Sequence, residues 1–303
     1  EKKLPGIIKE YKELRYLNEY KKDLFYKEPI EFNKNSNKDI LKYAVGANLY
    51  MNGEKNFYEK IINGDFNELG TISICFEDAE NNVVKMLDDL ANYIENIDVI
   101  NNIPLIFFRV RNYNQFLRFT SKLKAYHFKY ITGFIFPKFA TENSIAYLEY
   151  TKELSEKYNE VLYAMPILES EAIIYKETRI QELINIKEVI DDYSDIILNI
   201  RVGGTDFSSK FGLRRSIDSS IYNIRVVSDC LIDIINMFLR DGQDYVISAP
   251  VWEYFSEDIK SKEVCGLINE IKSDKENGFS GKTIIHPSQI KYVNSLYTVT
   301  YEE

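Results

Sequence analysis

Asp206 is the residue whose setting most suggests chemistry, because it follows two consecutive glycines. The run GGTD at residues 203–206 comes soon after a short apolar run at 196–200, whose β-branched residues are typical of a buried strand. Two glycines let the backbone turn tightly and present a single carboxylate just past the strand. An ordinary surface turn has the same composition, so the pattern gains meaning only if other strands also end in reactive groups.

Apolar runs recur along the chain with a regular rhythm. Between segments of helical periodicity, they occupy residues 44–51, 71–76, 104–108, 131–136, 161–167, 195–200, 244–248 and 283–285. Strands that alternate with helices predict a parallel sheet, because parallel neighbours need a crossover connection. Eight such units close a (β/α) barrel, and no linker rich in proline, glycine and serine divides the chain. We therefore predict an α/β fold, a TIM barrel over residues 41–303.

The predicted strand ends supply the residues that could act together. In a TIM barrel the reactive groups lie at the carboxyl ends of the strands. Seven of the eight predicted ends carry polar or turn-forming residues: Asn52 and Gly53, Glu77 and Asp78, Arg109 and Arg111, Pro137 and Lys138, Glu169, the 203–206 run, and His286 and Pro287. The seventh strand offers only Pro250 and Trp252. Strand ends are commonly polar in any protein, and that alternative stays open.

Composition narrows the classes of protein and partner. The chain has 303 residues and a net charge of −9 without a dense basic run, which argues against nucleic acid as a partner. Its three cysteines form neither a disulfide framework nor a metal-binding pattern, which favours the cytoplasm. No apolar stretch approaches the roughly 20 residues of a membrane span. Residues 1–40 are rich in Lys, Glu and Tyr with apolar residues at helical spacing, which predicts an N-terminal helical extension.

Several short motifs follow one another in order between residues 44 and 297. They are NLYM at 48–51, ICFEDA at 74–79, FRVRN at 108–112, FPK at 136–138, PILES at 166–170, GGTD at 203–206 and GFSGKTIIHPSQI at 278–290. Together they resemble the HpcH/HpaI aldolase and citrate lyase beta-subunit family, acyl-CoA carbon–carbon lyases on a TIM barrel. The most specific match is the last, over thirteen consecutive positions. The forms FED and GGTD resemble a divergent branch, such as the lyase-like proteins encoded among tellurium-resistance genes.

The resemblance implies a metal site and a substrate site. Glu169 and Asp206 match the family's Mg²⁺ ligands, and carboxylate oxygens suit this ion, which keeps several waters and needs few protein ligands. Arg109 matches the substrate-binding arginine, whose planar guanidinium can bind a carboxylate through two hydrogen bonds. The ion would chelate an oxo or hydroxy acid and polarise its oxygen. Gly204 and Thr205, beside Asp206, are expected to contact the substrate.

Four further residues flank this predicted site. Arg111 stands where the family usually has asparagine, and strand alternation predicts that it faces the same side as Arg109, which suits a more acidic substrate such as one bearing phosphate. Lys138 is expected to meet an anionic group, although a lysine at a strand end is commonly only solvated. Glu77 and Asp78 are expected to orient metal-bound water and the arginines, or one of them is purely structural.

The general acid or base has no candidate in the sequence. His127 lies in a helical stretch and is expected to be a packing or surface residue, and His286 is expected to cap the last turn. Family members continue past the signature into a C-terminal lid, which carries a catalytic aspartate for the neighbouring subunit. This sequence stops at Glu303, so a short C-terminus without that lid is expected.

These observations lead to one main expectation and two alternatives. The main one is a cytoplasmic Mg²⁺-dependent carbon–carbon lyase or aldolase that acts on a small acidic oxo or hydroxy acid, or on its coenzyme A thioester. The resemblance also implies a homo-oligomer, a trimer or hexamer. The alternatives are an acyl-CoA thioester hydrolase on the same scaffold and a barrel that binds a ligand without catalysis.

Overall fold

The computed structural model describes residues 30–76, 79–96 and 103–299 of the chain. Most of the predicted N-terminal extension, residues 1–29, therefore lies outside the described residues, and so do Glu77 and Asp78. The first described helix, α1, covers Lys38–Ala44 and begins where the Asn37 side chain accepts a hydrogen bond from the Asp39 N–H.

The described residues contain one sheet of eight parallel strands. They are β1 Ala47–Asn52, β2 Thr71–Cys75, β3 Leu105–Arg109, β4 Gly133–Phe136, β5 Tyr163–Leu168, β6 Ile200–Val202, β7 Ile247–Ser248 and β8 Lys282–Ile284. Each strand from β1 to β6 pairs with the next in sequence, and β8 pairs with β1. A single parallel bridge between Ala249 and Lys282 joins the two ends. The strands thus form a nearly closed barrel, and the predicted TIM-barrel fold is confirmed.

Helices cover the outside of the barrel. After α1 they are α2 Phe57–Ile62, α3 Glu80–Asn96, α4 Tyr113–Ser121, α5 Thr141–Tyr158, α6 Glu171–Ile174, α7 Lys176–Asp192, α8 Gly204–Ser209, α9 Arg225–Phe238, α10 Lys262–Glu276 and α11 Ile290–Leu296. Several begin at a polar cap: Asn112 accepts from the Gln115 N–H, and Ser261 accepts from the Val264 N–H. Along α3 the buried residues recur every three or four positions, so one face packs on the strands.

The strands bury alternate residues on their two faces. On β3, Ile106 and Phe108 pack outward in the large cluster between strands and helices. Leu105 and Phe107 point into the barrel, where they share a second cluster with Leu41 of α1 and other residues of the 32–45 segment. This segment therefore closes the amino-terminal end of the barrel, which leaves the opposite end free to form a site.

The sixth strand differs from the prediction in position. The apolar run at 195–200 was predicted to be the strand, whereas β6 covers Ile200–Val202. Ile196 and Ile197 instead donate backbone hydrogen bonds to Tyr193 at the end of α7, so the run begins as a turn. Apolar composition indicates that a segment is buried, but it does not indicate which residues pair with a neighbouring strand. Because β6 begins at Ile200, Arg201 lies inside the strand. None of the described helices is both long enough and apolar enough to cross a membrane.

Candidate functional site

A cavity of about 200 Å³ lies at the carboxyl ends of the strands. The polar side chains that line it come from β1, β3, β6, β8 and the ends of β5 and β6: Tyr50, Arg109, Arg201, Thr283, Glu169, Thr205 and Asp206. The structure therefore brings together the three residues, Glu169, Asp206 and Arg109, that the sequence singled out. They come from positions up to 97 residues apart in the chain, between Arg109 and Asp206.

Glu169 and Asp206 form a pair of neighbouring carboxylates. Glu169 follows β5 directly, Asp206 lies in the first turn of α8, and the register of Leu168 with Val202 aligns the two strand ends. Burial, followed by repulsion from Asp206, raises the pKa of the Glu169 carboxyl to about 7. Two carboxylates at this proximity favour either a shared proton or a cation between them.

The two glycines before Asp206 permit this arrangement through close packing. A Cβ at Gly203 would lie 2.4 Å from the Glu169 Cβ and 2.5 Å from its Oε2, closer than atoms can approach. A Cβ at Gly204 would lie 2.8 Å from the Cβ of Pro250. Gly203 has a φ of −91°, which any residue could adopt, so the constraint here is space and not backbone conformation.

Arg109 lies beside the carboxylate pair and lines the cavity from β3. It is the last residue of β3, and its Nη2 lies 3.7 Å from the Glu169 Oε1. Its Nε is buried and has no hydrogen-bond partner among the described residues. The guanidinium thus helps to neutralise Glu169 and keeps a donor available for a ligand.

Lys138 acts on the site through its backbone. Its N–H donates a 3.0 Å hydrogen bond to the Glu169 Oε1, and its φ of 49° belongs to the left-handed region. The side chain is exposed and is not part of the cavity lining. The predicted contact of Lys138 with a substrate anion stays a prediction, whereas its backbone contact with Glu169 was not foreseen.

Arg111 lies outside the cavity lining, although it was predicted to face the same side as Arg109. The alternation argument does not reach it, because β3 ends at Arg109. The side chain of Arg111 is exposed, and its backbone N–H donates to the Gln115 Oε1 at 2.6 Å. Thr205 does line the cavity, and its hydroxyl donates to the Glu253 Oε1 at 2.6 Å.

Arg201 and Tyr50 are cavity residues that sequence reasoning missed. Arg201 is 1% exposed, and its guanidinium carbon lies 5.6 Å from the centre of the Tyr50 ring. Its Nη2 donates to the Thr283 Oγ1. One signal was available: an arginine in the stretch at 196–202, whose other residues are apolar except for Asn199. It points to a buried charge only if the strand is taken to include residue 201.

Both histidines have structural contacts outside the cavity lining. His286 accepts a hydrogen bond from the Ser288 N–H at 3.3 Å and so caps the turn Pro287–Gln289, as predicted. His127 is fully buried in the turn Ala125–Lys129, where its Nε2 lies 2.9 Å from the Asp88 Oδ1. The packing role predicted for His127 is thus the one that the structure gives it.

The donor set at the cavity fits a hard divalent cation. Within residues 30–76, 79–96 and 103–299, no group of three or more His, Cys, Asp and Glu side chains is arranged to hold a metal ion. The two carboxylates are too few for a structural zinc site. They suit Mg²⁺, which is commonly bound by one or two carboxylates and retains several waters.

The protein is a (β/α)₈ barrel with an acidic pair at the carboxyl ends of its strands. TIM-barrel enzymes have their active sites at these strand ends, so the general class is a TIM barrel with a candidate site in that position. Residues 39–303 match the family model described as C-C bond lyase of the TIM-barrel fold. The chain belongs to this family. The lyase resemblance found in the motifs is thereby confirmed, and no curated protein sequence matches the chain.

Solved structures share the fold at low sequence identity. RipC from Yersinia pestis aligns with a TM-score of 0.55 at 16% identity, over 86% of this chain and 98% of that one. The citrate lyase beta subunit from Mycobacterium tuberculosis aligns with a TM-score of 0.52 at 15% identity, over 86% and 99% of the two chains. CitE from the same organism, in complex with magnesium, acetoacetate and coenzyme A, aligns with a TM-score of 0.52 at 16% identity, over 86% and 84%. Identities this low establish the barrel and nothing finer.

Proposed function

We propose that this protein is a Mg²⁺-dependent carbon–carbon lyase or aldolase that acts on a small acidic oxo or hydroxy acid, free or as its coenzyme A thioester. The observation that carries the proposal is the pair of carboxylates, Glu169 and Asp206, that meets beside Arg109 at one cavity. Membership of a C–C bond lyase family supports the class of reaction. CitE of Mycobacterium tuberculosis has been crystallised with magnesium and pyruvate, and also with magnesium, acetoacetate and coenzyme A, which supports the choice of metal and ligand.

Each residue has a defined part in this proposal. Glu169 and Asp206 would hold Mg²⁺, which when bound supplies a Lewis acid for the substrate oxygen. The Lys138 N–H fixes one oxygen of Glu169, so the other carboxylate oxygen can face the metal. Arg109 would bind a substrate carboxylate and stabilise the negative charge that develops as the carbon–carbon bond breaks.

The size of the cavity limits what enters it. Its volume of about 200 Å³ is below the roughly 300–1,000 Å³ of pockets that enclose drug-sized ligands. A small acid fits within it, and the coenzyme A part of a thioester would lie outside. The cytoplasmic location and a trimeric or hexameric assembly stay predictions.

Metal binding provides the first test. Isothermal titration of the purified protein with Mg²⁺ should show a site that Asp206→Asn weakens at least roughly tenfold, because one of two charged ligands is lost. Glu257→Gln is the matched control, since Glu257 is an exposed carboxylate away from the cavity lining. Equal Mg²⁺ binding by wild type and Asp206→Asn would overturn the metal assignment.

Turnover provides the second test. Incubation with oxo acids, hydroxy acids and their acyl-CoA thioesters should release products of carbon–carbon cleavage only when Mg²⁺ is present. Release of free coenzyme A with an intact acyl chain would instead identify the thioester hydrolase. Tight ligand binding without any product would identify a barrel that binds without catalysis, and either result would replace the lyase proposal.

A further inference from the structure

Arg201 is the charged residue of the cavity with no opposite charge of its own. It lies on β6 with 1% of its surface exposed, and no carboxylate of the described residues lies within ion-pair distance of its guanidinium. Its contacts are with neutral groups: the Thr283 hydroxyl, the Asn199 Oδ1 at 3.5 Å and the Tyr50 ring. Removal of a charge from water is costly unless a partner compensates for it.

Two buried nitrogen donors, one in the Arg201 side chain and one in Asn48 of β1, lack acceptors among the described residues. They are the Arg201 Nε and the Asn48 Nδ2. Asn48 pairs in register with Thr283, the residue that accepts the hydrogen bond from Arg201. Buried polar groups in native proteins are nearly always hydrogen-bonded, so a cluster of unsatisfied donors indicates that an acceptor binds there.

The position of Arg201 places this acceptor deeper than the metal site. Arg201 pairs in register with Ile167, two residues before Glu169 on β5. Two residues along a strand correspond to about 6–7 Å. A ligand held at the mouth by Glu169, Asp206 and Arg109 would therefore extend inward toward Arg201, past the ring of Tyr50.

The balance of charge leads to the same conclusion. With a divalent cation on Glu169 and Asp206, the carboxylates and the metal neutralise each other. Among the described residues that line the cavity, the guanidiniums of Arg109 and Arg201 then remain as two positive charges. A ligand with a single carboxylate compensates only one of them, whereas a ligand with two anionic groups compensates both.

We propose that Arg201 binds a second anionic group of the substrate, so that the cavity selects short dianionic oxo acids over monoanionic ones. This inference rests on the proposed function, because the charge balance places Mg²⁺ on the two carboxylates. The second anion is a carboxylate or a phosphate-type group, both of which a guanidinium binds through paired hydrogen bonds.

Three oxo acids that differ at one end distinguish these possibilities. Pyruvate carries one carboxylate, oxaloacetate adds a second, and 3-phosphonopyruvate carries a phosphonate at the same position. Isothermal titration of each into the full chain with Mg²⁺ should show at least roughly tenfold tighter binding of a dianion than of pyruvate. The tighter of the two dianions identifies the group that Arg201 binds.

Variants assign the preference to Arg201. Arg201→Gln should remove the dianion preference while the affinity for pyruvate stays within about twofold, and Arg201→Lys should keep part of the preference because the charge remains. Arg111→Gln, at an exposed arginine outside the cavity lining, is the matched control and should keep the full preference. If Arg201→Gln does not fold, Arg201→Lys and Thr283→Val supply the same comparison, since both disturb the guanidinium and leave the charge in place.

Two results would overturn the inference: a wild-type protein that binds pyruvate and both dianions equally, or an Arg201 variant that weakens all three ligands by the same factor. The second result would show a purely structural role. Repetition of the titrations with EDTA separates this inference from the proposed function. A dianion preference that persists without metal and disappears in Arg201→Gln would support the role of Arg201 independently of the metal assignment, which the Mg²⁺ titration of wild type and Asp206→Asn tests by itself.

Discussion

The barrel contains two clusters of buried charge that follow opposite rules. The first, which we call the wall cluster, joins α10 to β8 and consists of Arg215, Glu270, Asp274 and Lys282, each no more than 4% exposed. The Lys282 Nζ lies 3.0 Å from the Glu270 Oε1 and 2.6 Å from the Asp274 Oδ2. Arg215 completes it with a 2.6 Å contact to the Glu270 Oε2. Two positive and two negative charges therefore balance.

The second, the mouth cluster, consists of Glu169, Asp206, Arg109 and Arg201, and it is arranged differently. Its two carboxylates adjoin each other, and the ion pair between Arg109 and Glu169 spans 3.7 Å. Arg201 has no acidic partner within the described residues. The two clusters contain the same numbers of positive and negative charges, but only in the wall cluster does each cation lie within 3.0 Å of a carboxylate.

The difference separates a structural cluster from a candidate functional one. In the wall cluster each charge is compensated within the chain, so the arrangement is complete without a ligand. In the mouth cluster the described residues compensate the charges less completely, and we propose that a cation binds the carboxylates and an anion binds the arginines. Perturbed, incompletely paired groups in a cleft are typical of functional sites, and fully paired groups are typical of packing.

Disruption of the wall cluster should have the largest effect on stability. Lys282→Met leaves Glu270 with Arg215 alone and Asp274 without a cationic partner among the described residues, which should lower the free energy of unfolding by about 3–5 kcal/mol. Urea denaturation measures this loss. Lys262→Met, at an exposed lysine paired with Asp218, is the control and should change stability little. Equal stabilities for the two variants would contradict the structural role of the wall cluster.

A methyl group at Gly203 should damage the mouth cluster specifically. Gly203→Ala places a Cβ against the Glu169 carboxylate, so Mg²⁺ affinity should fall at least roughly tenfold as the ligand is displaced. Gly204→Ala meets Pro250 instead, so it should lower stability with a smaller effect on Mg²⁺ affinity in the folded protein. Thermal unfolding measures the stability of each variant, and titration of the folded variants with Mg²⁺ measures their affinity. Equal losses of Mg²⁺ affinity would show that the glycines act only through the fold.

The raised pKa of Glu169 predicts opposite pH dependences for stability and metal binding. The folded protein holds this proton up to about pH 7, whereas the unfolded chain releases it near 4.5, so the free energy of unfolding should fall as pH rises between these values and level off above. Asp274, whose pKa burial raises to about 6, contributes in the same direction. Mg²⁺ requires the ionised carboxylate, so its affinity should rise over the same range.

Glu169→Gln isolates the contribution of this residue. It should bind Mg²⁺ at least roughly tenfold more weakly, lose the rise in affinity toward pH 7, and be at least as stable as wild type at pH 8, where the native carboxylate is ionised. Metal titrations and urea denaturation at pH 5, 6, 7 and 8 provide the measurement. If Glu169→Gln is less stable than wild type at pH 8, the ionised Glu169 stabilises the fold, as the charges of the wall cluster do.

Arg111→Ala should have the smallest effect. Because Arg111 is exposed and lies outside the cavity lining, its loss should change the affinity for oxaloacetate by less than about twofold. Arg109→Ala, the comparison, should weaken it at least roughly tenfold. Titration calorimetry with both variants measures these affinities. A large loss of oxaloacetate affinity in Arg111→Ala would support the prediction that Arg111 contacts the substrate.

Much of the site could be predicted because strand ends carry a readable pattern. Glu169, Asp206 and Arg109 each follow or end an apolar run, and parallel strands of a barrel bring such ends to one mouth. Prediction was less complete where the position of an element boundary mattered. Strand alternation was extended to Arg111 beyond the end of β3, and the sixth strand was placed before Arg201 instead of around it.

The sequence by itself determined the barrel, its family and the identity of the acidic pair, because alternating hydrophobic periods and ordered motifs are local properties of the chain. Only the tertiary structure decided which charges have partners. Arg215 and Arg201 are both buried arginines on or near the barrel wall, yet one lies against Glu270 and the other against Tyr50 and Thr283. Compensation of charge depends on distances across strands and helices far apart in sequence, and no local pattern contains that information.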